Sequence, residues 1–257
     1  MAPEAPSPSS AVSLRGAVAL AGRFPLLAGV DLDVAVGETV LVEGPNGAGK
    51  TSLLRVCAGL VPLASGQITV LGLDPTRNRT SVRRRVGLLG HASHLYDDLT
   101  VMENIRFAVR AAGGDTARIG PACERWGLIG RVARTKAGKL SAGQRRRVAL
   151  AVLTARWPEL WLLDEPHAGL DSAARGLLDE AIAEARAARV TILIASHESG
   201  AVEGLAHRAV TVSGGRVVGG RPLGDTGRSL ADDAPSGDRP ADGADVTPPI
   251  GRVAHVA

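Results

Sequence analysis

The residues Gly44, Pro45, Asn46, Gly47, Ala48, Gly49, Lys50 and Thr51 follow the spacing G-x-x-x-x-G-K-T, with Ser52 directly behind. Backbone without side chains lets successive N–H groups curl around an anion. Lys50 adds a point charge for the β and γ phosphates of a nucleoside triphosphate, and the Thr51 hydroxyl is placed to ligate Mg2+. Such a loop requires a strand in front and a helix behind. Residues 39–42, Thr-Val-Leu-Val, read as a short buried strand, and residues 52–58 read as a helix whose positive end is directed at the same anion.

Three stretches further on carry matching chemistry. Leu162-Leu163-Asp164-Glu165 is an apolar run ending in two acids: Asp164 is suited to hold the metal, and Glu165 to polarise a water that attacks the terminal phosphate. Alone, the two acids are equally well explained as carboxylates facing solvent. Ser141 with Gln144 three residues on has the form of a capping box, so Ser141 is expected to open a helix whose N-terminus accepts an anion. Arg145, Arg146 and Arg147 oppose the dipole preference in that first turn, a conflict expected to mark a contact surface. His197 follows the strand-like run 190–195, at the ligand edge of an open sheet. Asp171 fits either a site role or the N-cap of the next helix.

These residues need a scaffold, and the chain is long enough for one. Its 257 residues, 45% hydrophobic, suit one large α/β domain with a subdomain insert. Residues 12–36 read as strands turning at 21–25, followed by strands at 66–72 and 86–90. Residues 99–156 are mostly helical in pattern, within a helical insert placed at about 92–157. Strands return at 160–163 and 190–195 around a helix at 173–188, and residues 209–218 close as a hairpin. Residues 1–11 are expected to be disordered, as is an acidic tail over 221–257 with four arginines against six aspartates. The net charge of +4 suits a solvated basic face; with 2% aromatic residues there is no stacking platform, and no nucleic-acid partner is expected. Cys57 and Cys123 lack metal or disulfide spacing, which favours a reducing cytosol. Glu4 stands where a secretion signal would be positive, and no apolar run reaches the ~20 residues of a membrane span, so any membrane role goes through a partner.

GPNGAGKT, LSAGQ, LLDEP, AGLD and the ASH ending at His197, in this order over residues 12–220, resemble the nucleotide-binding subunit of an ATP-binding-cassette (ABC) transporter. The resemblance implies a P-loop NTPase (RecA-like) α/β core with an antiparallel β-subdomain and an inserted α-helical subdomain. It implies a head-to-tail homodimer, or pairing with a similar ATPase, around two ATP molecules. Ser141, the Gly143 amide and Gln144 would contact the nucleotide held by the partner's loop. Glu165 would act as general base, His197 would hold the γ-phosphate and attacking water, Asp164 and Thr51 would serve Mg2+, and Asp171 would couple the two sites. An integral membrane subunit would be the partner, with this chain peripheral on the cytoplasmic face of the cell membrane.

Two departures are informative. His91 stands where most of the superfamily has a glutamine that contacts metal and membrane subunit, and an imidazole lacks an amide's paired donor and acceptor. It either does part of the glutamine's work or merely packs. The stretch 90–100 around His91, together with LSAGQ, is similar to the ATPases of the bacterial haem exporter system of cytochrome c maturation. The aromatic residue that stacks on adenine in the family would fall near Ala21, so Phe24 takes its place or the stack is lost. The membrane partner is expected to dock near residues 91–107, on Leu95, Tyr96, Leu99 and Ile105. Other readings are an exporter of another substrate, an ABC ATPase without a transport role, and a nucleotide-gated scaffold.

Overall fold

The computed structural model describes residues 10–197 and 202–223. Two sheets organise it. The smaller is antiparallel, in the order β2-β1-β4, from β1 (Ser10–Ala21), β2 (Phe24–Ala35) and β4 (Ser65–Val70). β1 and β2 are joined by a two-residue turn in which Gly22 takes φ +61°, a conformation a side chain would resist.

The larger sheet has the order β5-β6-β7-β3-β8-β9, built from β3 (Thr39–Glu43), β5 (Val86–Leu89), β6 (Leu160–Asp164), β7 (Thr191–Ala195), β8 (Arg208–Ser213) and β9 (Arg216–Pro222). All its neighbours are parallel except the β8–β9 hairpin. Its central strands β6 and β7 are buried throughout and read as near-continuous apolar runs, as strands covered on both faces must, whereas the edge strand β9 is mostly exposed. Alternate residues feed two cores. Leu41, Trp161, Leu163, Ile192 and Ile194 face one, while Val40, Val42, Leu160, Leu162 and Leu193 face the other.

The first core is closed by α3 (Val101–Ala111), α4 (Ile119–Arg125), α5 (Ala142–Arg156) and α6 (Ser172–Ala187); the second by α1 (Lys50–Cys57) and the antiparallel sheet. In α3 the buried Val101, Ile105 and Val109 recur every four residues and form one apolar stripe. Its start is fixed by a capping box in which the Thr100 hydroxyl accepts from the Glu103 amide and the Glu103 carboxylate accepts from the Thr100 amide. The indoles of the first core are satisfied: Trp126 Nε1 donates to Thr154 Oγ1 (3.1 Å) and Trp161 Nε1 to the Pro158 carbonyl (3.2 Å).

The structure departs from the sequence expectations at several places. Ser10, Arg221 and Pro222 each have a strand partner and belong to β1 and β9, and Ala11 lies in β1 with its carbonyl accepting from the Leu71 amide (2.7 Å); the remaining expected disorder, at 1–9 and 224–257, lies outside the described residues. A short helix, α2 (Arg79–Arg85), precedes β5 where none was expected. Residues 91–99 form a loop, and helix begins only at Val101. The strand expected at 66–72 runs over Ser65–Val70 and pairs with β1 in the antiparallel sheet.

Candidate nucleotide-hydrolysis site

The site lies at the carboxyl ends of β6, β7 and β3, three adjacent strands. Asp164 is paired with Ala195 across β6 and β7, and Val42 with Ala195 across β3 and β7. The ends of β6 and β7 are therefore level, β3 runs one residue further to Glu43, and whatever follows each is brought together. Beyond the ladder the Glu165 amide donates to the Ala195 carbonyl (2.9 Å) and the Ser196 amide to the Val42 carbonyl (3.2 Å). This is the ligand edge of an open parallel sheet.

The loop 44–49 leads into α1. Gly44 is at φ +140°, and a Cβ there would meet the Val212 carbonyl oxygen at 2.1 Å. Gly49 is at φ +111°, with the Leu26 carbonyl 2.9 Å from where its Cβ would be. No larger residue fits either position. Gly49 is also the N-cap of α1, which has no side-chain cap and no acid in its first turn, so its N–H groups point unopposed at the loop. Lys50 is 7% exposed, and its ammonium donates to the carbonyls of Gly44 (2.7 Å) and Pro45 (3.2 Å). Thr51 Oγ1 lies 2.9 and 3.1 Å from the two carboxylate oxygens of Asp164. A hydroxyl and a carboxylate side by side, beside an anion loop, fit Mg2+, which prefers few protein oxygens and takes the rest from phosphate and water.

Glu165 has φ +45°, rare for a side chain of this size. Its Oε1 lies 2.8 Å from His197 Nδ1 and accepts from the His197 amide at 3.0 Å; Ser196 Oγ donates to Oε2 at 3.4 Å. A carboxylate held by an imidazole and an amide, next to the Asp164–Thr51 pair, can accept a proton from water at a defined point.

Ser141 and Gln144 form both hydrogen bonds of the capping box, at 3.2 and 3.0 Å. They bond to each other and not to the loop at 44–51. Asp171 caps α6, accepting from the Ala174 amide (2.8 Å), and pairs with Arg147 (2.6 Å). The Ala174 amide first, and Arg147 with it, hold its carboxyl below the usual range. His91 borders a cleft of about 580 Å3 with His94, Arg146, Asp164 and Glu165.

Of the three arginines only Arg146 reaches inward, to the carbonyls of Gly90 (2.6 Å), Asp164 (3.2 Å) and Glu165 (2.7 Å), whereas Arg145 and Arg147 lie at the surface, paired with Asp97 and Asp171. Burial lowers the affinity of Arg146 for its proton, against the opposing pull of Asp164. Ile105 is fully buried, so it is core and not docking surface. Ser196, beside His197, joins the site through Glu165 without a sequence signal of its own, whereas His167, within the run that joins Glu165 to Asp171, has Nε2 2.7 Å from Asp179 Oδ1 of α6.

A family model described as ABC transporter matches residues 27–168. The chain is 42% identical over 180 residues to the cytochrome c biogenesis ATP-binding export protein CcmA of Paraburkholderia xenovorans, covering 63% of this chain and 79% of that protein. It is 37% identical over 225 residues to the Fe(3+) ions import ATP-binding protein FbpC of Streptomyces coelicolor, covering 84% of this chain and 63% of that one. A solved ATP-binding subunit of an ABC transporter superposes with a TM-score of 0.77 at 26% identity, over 82% of this chain and 90% of that one.

Proposed function

We propose, for a chain that belongs to the ABC transporter family as an ATP-hydrolysing subunit, that it drives a separate membrane subunit in haem export for cytochrome c biogenesis. The observation that carries the hydrolytic half is the adjacent ending of β3, β7 and β6, which sets the phosphate loop, His197 and the Asp164–Glu165 pair side by side. The cargo rests on the likeness to CcmA and on the loop around His91.

Bound MgATP supplies the γ-phosphoryl group and the metal charge that offsets the transition state. The Lys50 ammonium exchanges its two loop carbonyls for phosphate oxygens. Thr51 and Asp164 hold the Mg2+. Glu165 takes the proton of the attacking water at Oε1 or Oε2, while His197 fixes that carboxylate. Phe24, 78% exposed and two residues before the Leu26 carbonyl that abuts Gly49, is positioned to stack on the adenine. Ser141 and Gln144, which bond each other at the start of α5, would meet the nucleotide of a second copy in a head-to-tail pair.

No helix among the described residues is long and apolar enough to cross a membrane. The chain acts at the cytoplasmic face, through a docking surface at the 91–107 segment. There Tyr96 and Phe107 stand 56% and 50% exposed in an edge-to-face pair, rings 5.2 Å apart. The domain runs from Ser10 of β1 to Pro222 of β9, with the helices between Val101 and Arg156 as its helical part.

The test is chromosomal replacement with Glu165→Gln, followed by staining of membranes for covalent haem on c-type cytochromes. Loss of the stain while total haem persists supports the reading. A normal stain overturns the haem link and leaves a second reading, transport of another cargo, which the likeness to the Fe(3+) import protein over 84% of the chain favours.

A further inference from the structure

Glu165 holds an unfavourable backbone, and its surroundings explain how. Past the last ladder pair of β5 and β6, Leu89 with Leu163, no strand-to-strand hydrogen bonds follow. The carbonyls of Gly90, Asp164 and Glu165 turn instead onto one guanidinium, with Arg146 Nη1 on the first and Nη2 on the other two. The fork spans two loops that share no direct bond there. One leads into His91 and the 91–99 loop; the other carries the base.

We infer that Arg146 is a positioning residue for hydrolysis: it clamps the peptide of Glu165 in its left-handed conformation and fastens it to Gly90, so that displacement of the 91–99 loop displaces the base. This rests on the reading of Glu165 given above. A planar fork can bridge both loops, whereas an ammonium, a single point, reaches one. Besides the fork, the 165 peptide is held by its amide on the Ala195 carbonyl (2.9 Å) and by the Ala168 amide on its carbonyl (3.1 Å), so loss of the fork loosens the left-handed turn and lets the carboxylate drift off His197 without unfolding it. The phosphate loop makes no contact with Arg146 and is left as it is.

The same chemistry occurs once more on α5, where it touches nothing catalytic. Arg156 Nη2 donates to the carbonyls of Arg83, Arg84 and Val86 at 3.0 to 3.4 Å, at the opposite end of β5. In both arginines Nε is buried without a partner. Arg156 is therefore a control for the loss of a buried fork as such.

The experiment measures kcat and KM for MgATP, and the melting temperature, in the full chain carrying Arg146→Gln, Arg146→Lys, Arg156→Gln or Glu165→Gln. Arg146→Gln is expected to lower kcat at least tenfold with KM within about twofold of the parent, Arg146→Lys to fall between, and Arg156→Gln to melt earlier while keeping kcat within about twofold. The inference is overturned if Arg146→Gln keeps its kcat, if KM rises in step with the loss, or if Arg156→Gln loses as much kcat. If Glu165→Gln itself turns over normally, the base assignment fails and this inference falls with it. If Glu165→Gln is inactive and Arg146→Gln is not, the inference alone falls.

Discussion

At the scale of single residues, two side chains separate binding from chemistry. Lys50 is almost enclosed and already oriented by the carbonyls of Gly44 and Pro45, so its charge is delivered to one place. Lys50→Ala removes charge-assisted bonds each worth about 1.5–3 kcal/mol, and isothermal titration should show ATP binding lost. Glu165→Gln keeps size and the bond from the His197 amide but cannot take a proton. It should bind ATP normally while kcat falls about 10²–10⁴-fold, the usual contribution of a general base. Undiminished turnover in a steady-state phosphate-release assay would rule out this assignment. Cys57 is the opposite case: desolvation pushes its thiol up to about 12, and it should resist alkylation until the chain unfolds.

At the scale of elements, caps and stripes carry testable weights. Ser141→Ala removes the N-cap of α5 and should cost about 1 kcal/mol in a urea melt, with a further loss of ATPase activity if that helix end meets the second copy's nucleotide. Ile105→Ala opens the first core and should cost about 2–5 kcal/mol. Phe107→Ala, on the exposed side of the same helix, should stay within about 0.5 kcal/mol and lower only the stimulation of ATPase activity by a membrane subunit. Legibility follows the same division. The phosphate loop, the capping box at Ser141 and the cap at Asp171 were readable because each is set by residues a few positions apart. The register that levels Asp164, Ala195 and Val42 is not, since parallel pairing is fixed by contacts across the whole chain. The inward turn of Arg146 was half readable: the clash with the helix dipole was visible, but the carbonyls that resolve it lie 18 to 56 residues away. α2 escaped because an arginine-rich helix of seven residues has too short an apolar pattern to register.

At the scale of the whole molecule, the proposed head-to-tail pair puts the Ser141 helix end and the phosphate loop of one chain in separate half-sites, so on that proposal Glu165→Gln with ATP should elute as a dimer in light-scattering chromatography and the apo protein as a monomer. Stability should also respond to acid in one direction. Asp74 is held low first by the Thr76 hydroxyl, Glu103 by the Thr100 amide, Glu159 by the Arg85 guanidinium, and Asp171 by the Ala174 amide. Carboxyls depressed in the fold contribute stability that is complete above their ordinary values of 3.8 and 4.5 and is lost as pH falls below them. Thermal melts should therefore be level down to about pH 5 and decline beneath it. The left-handed Glu165 has a different consequence, for anyone breeding variants of this protein. A glycine or asparagine would sit at φ +45° with less strain, by about 1 kcal/mol. Selection for heat tolerance alone would thus be drawn to position 165, and its most durable winners would be inert.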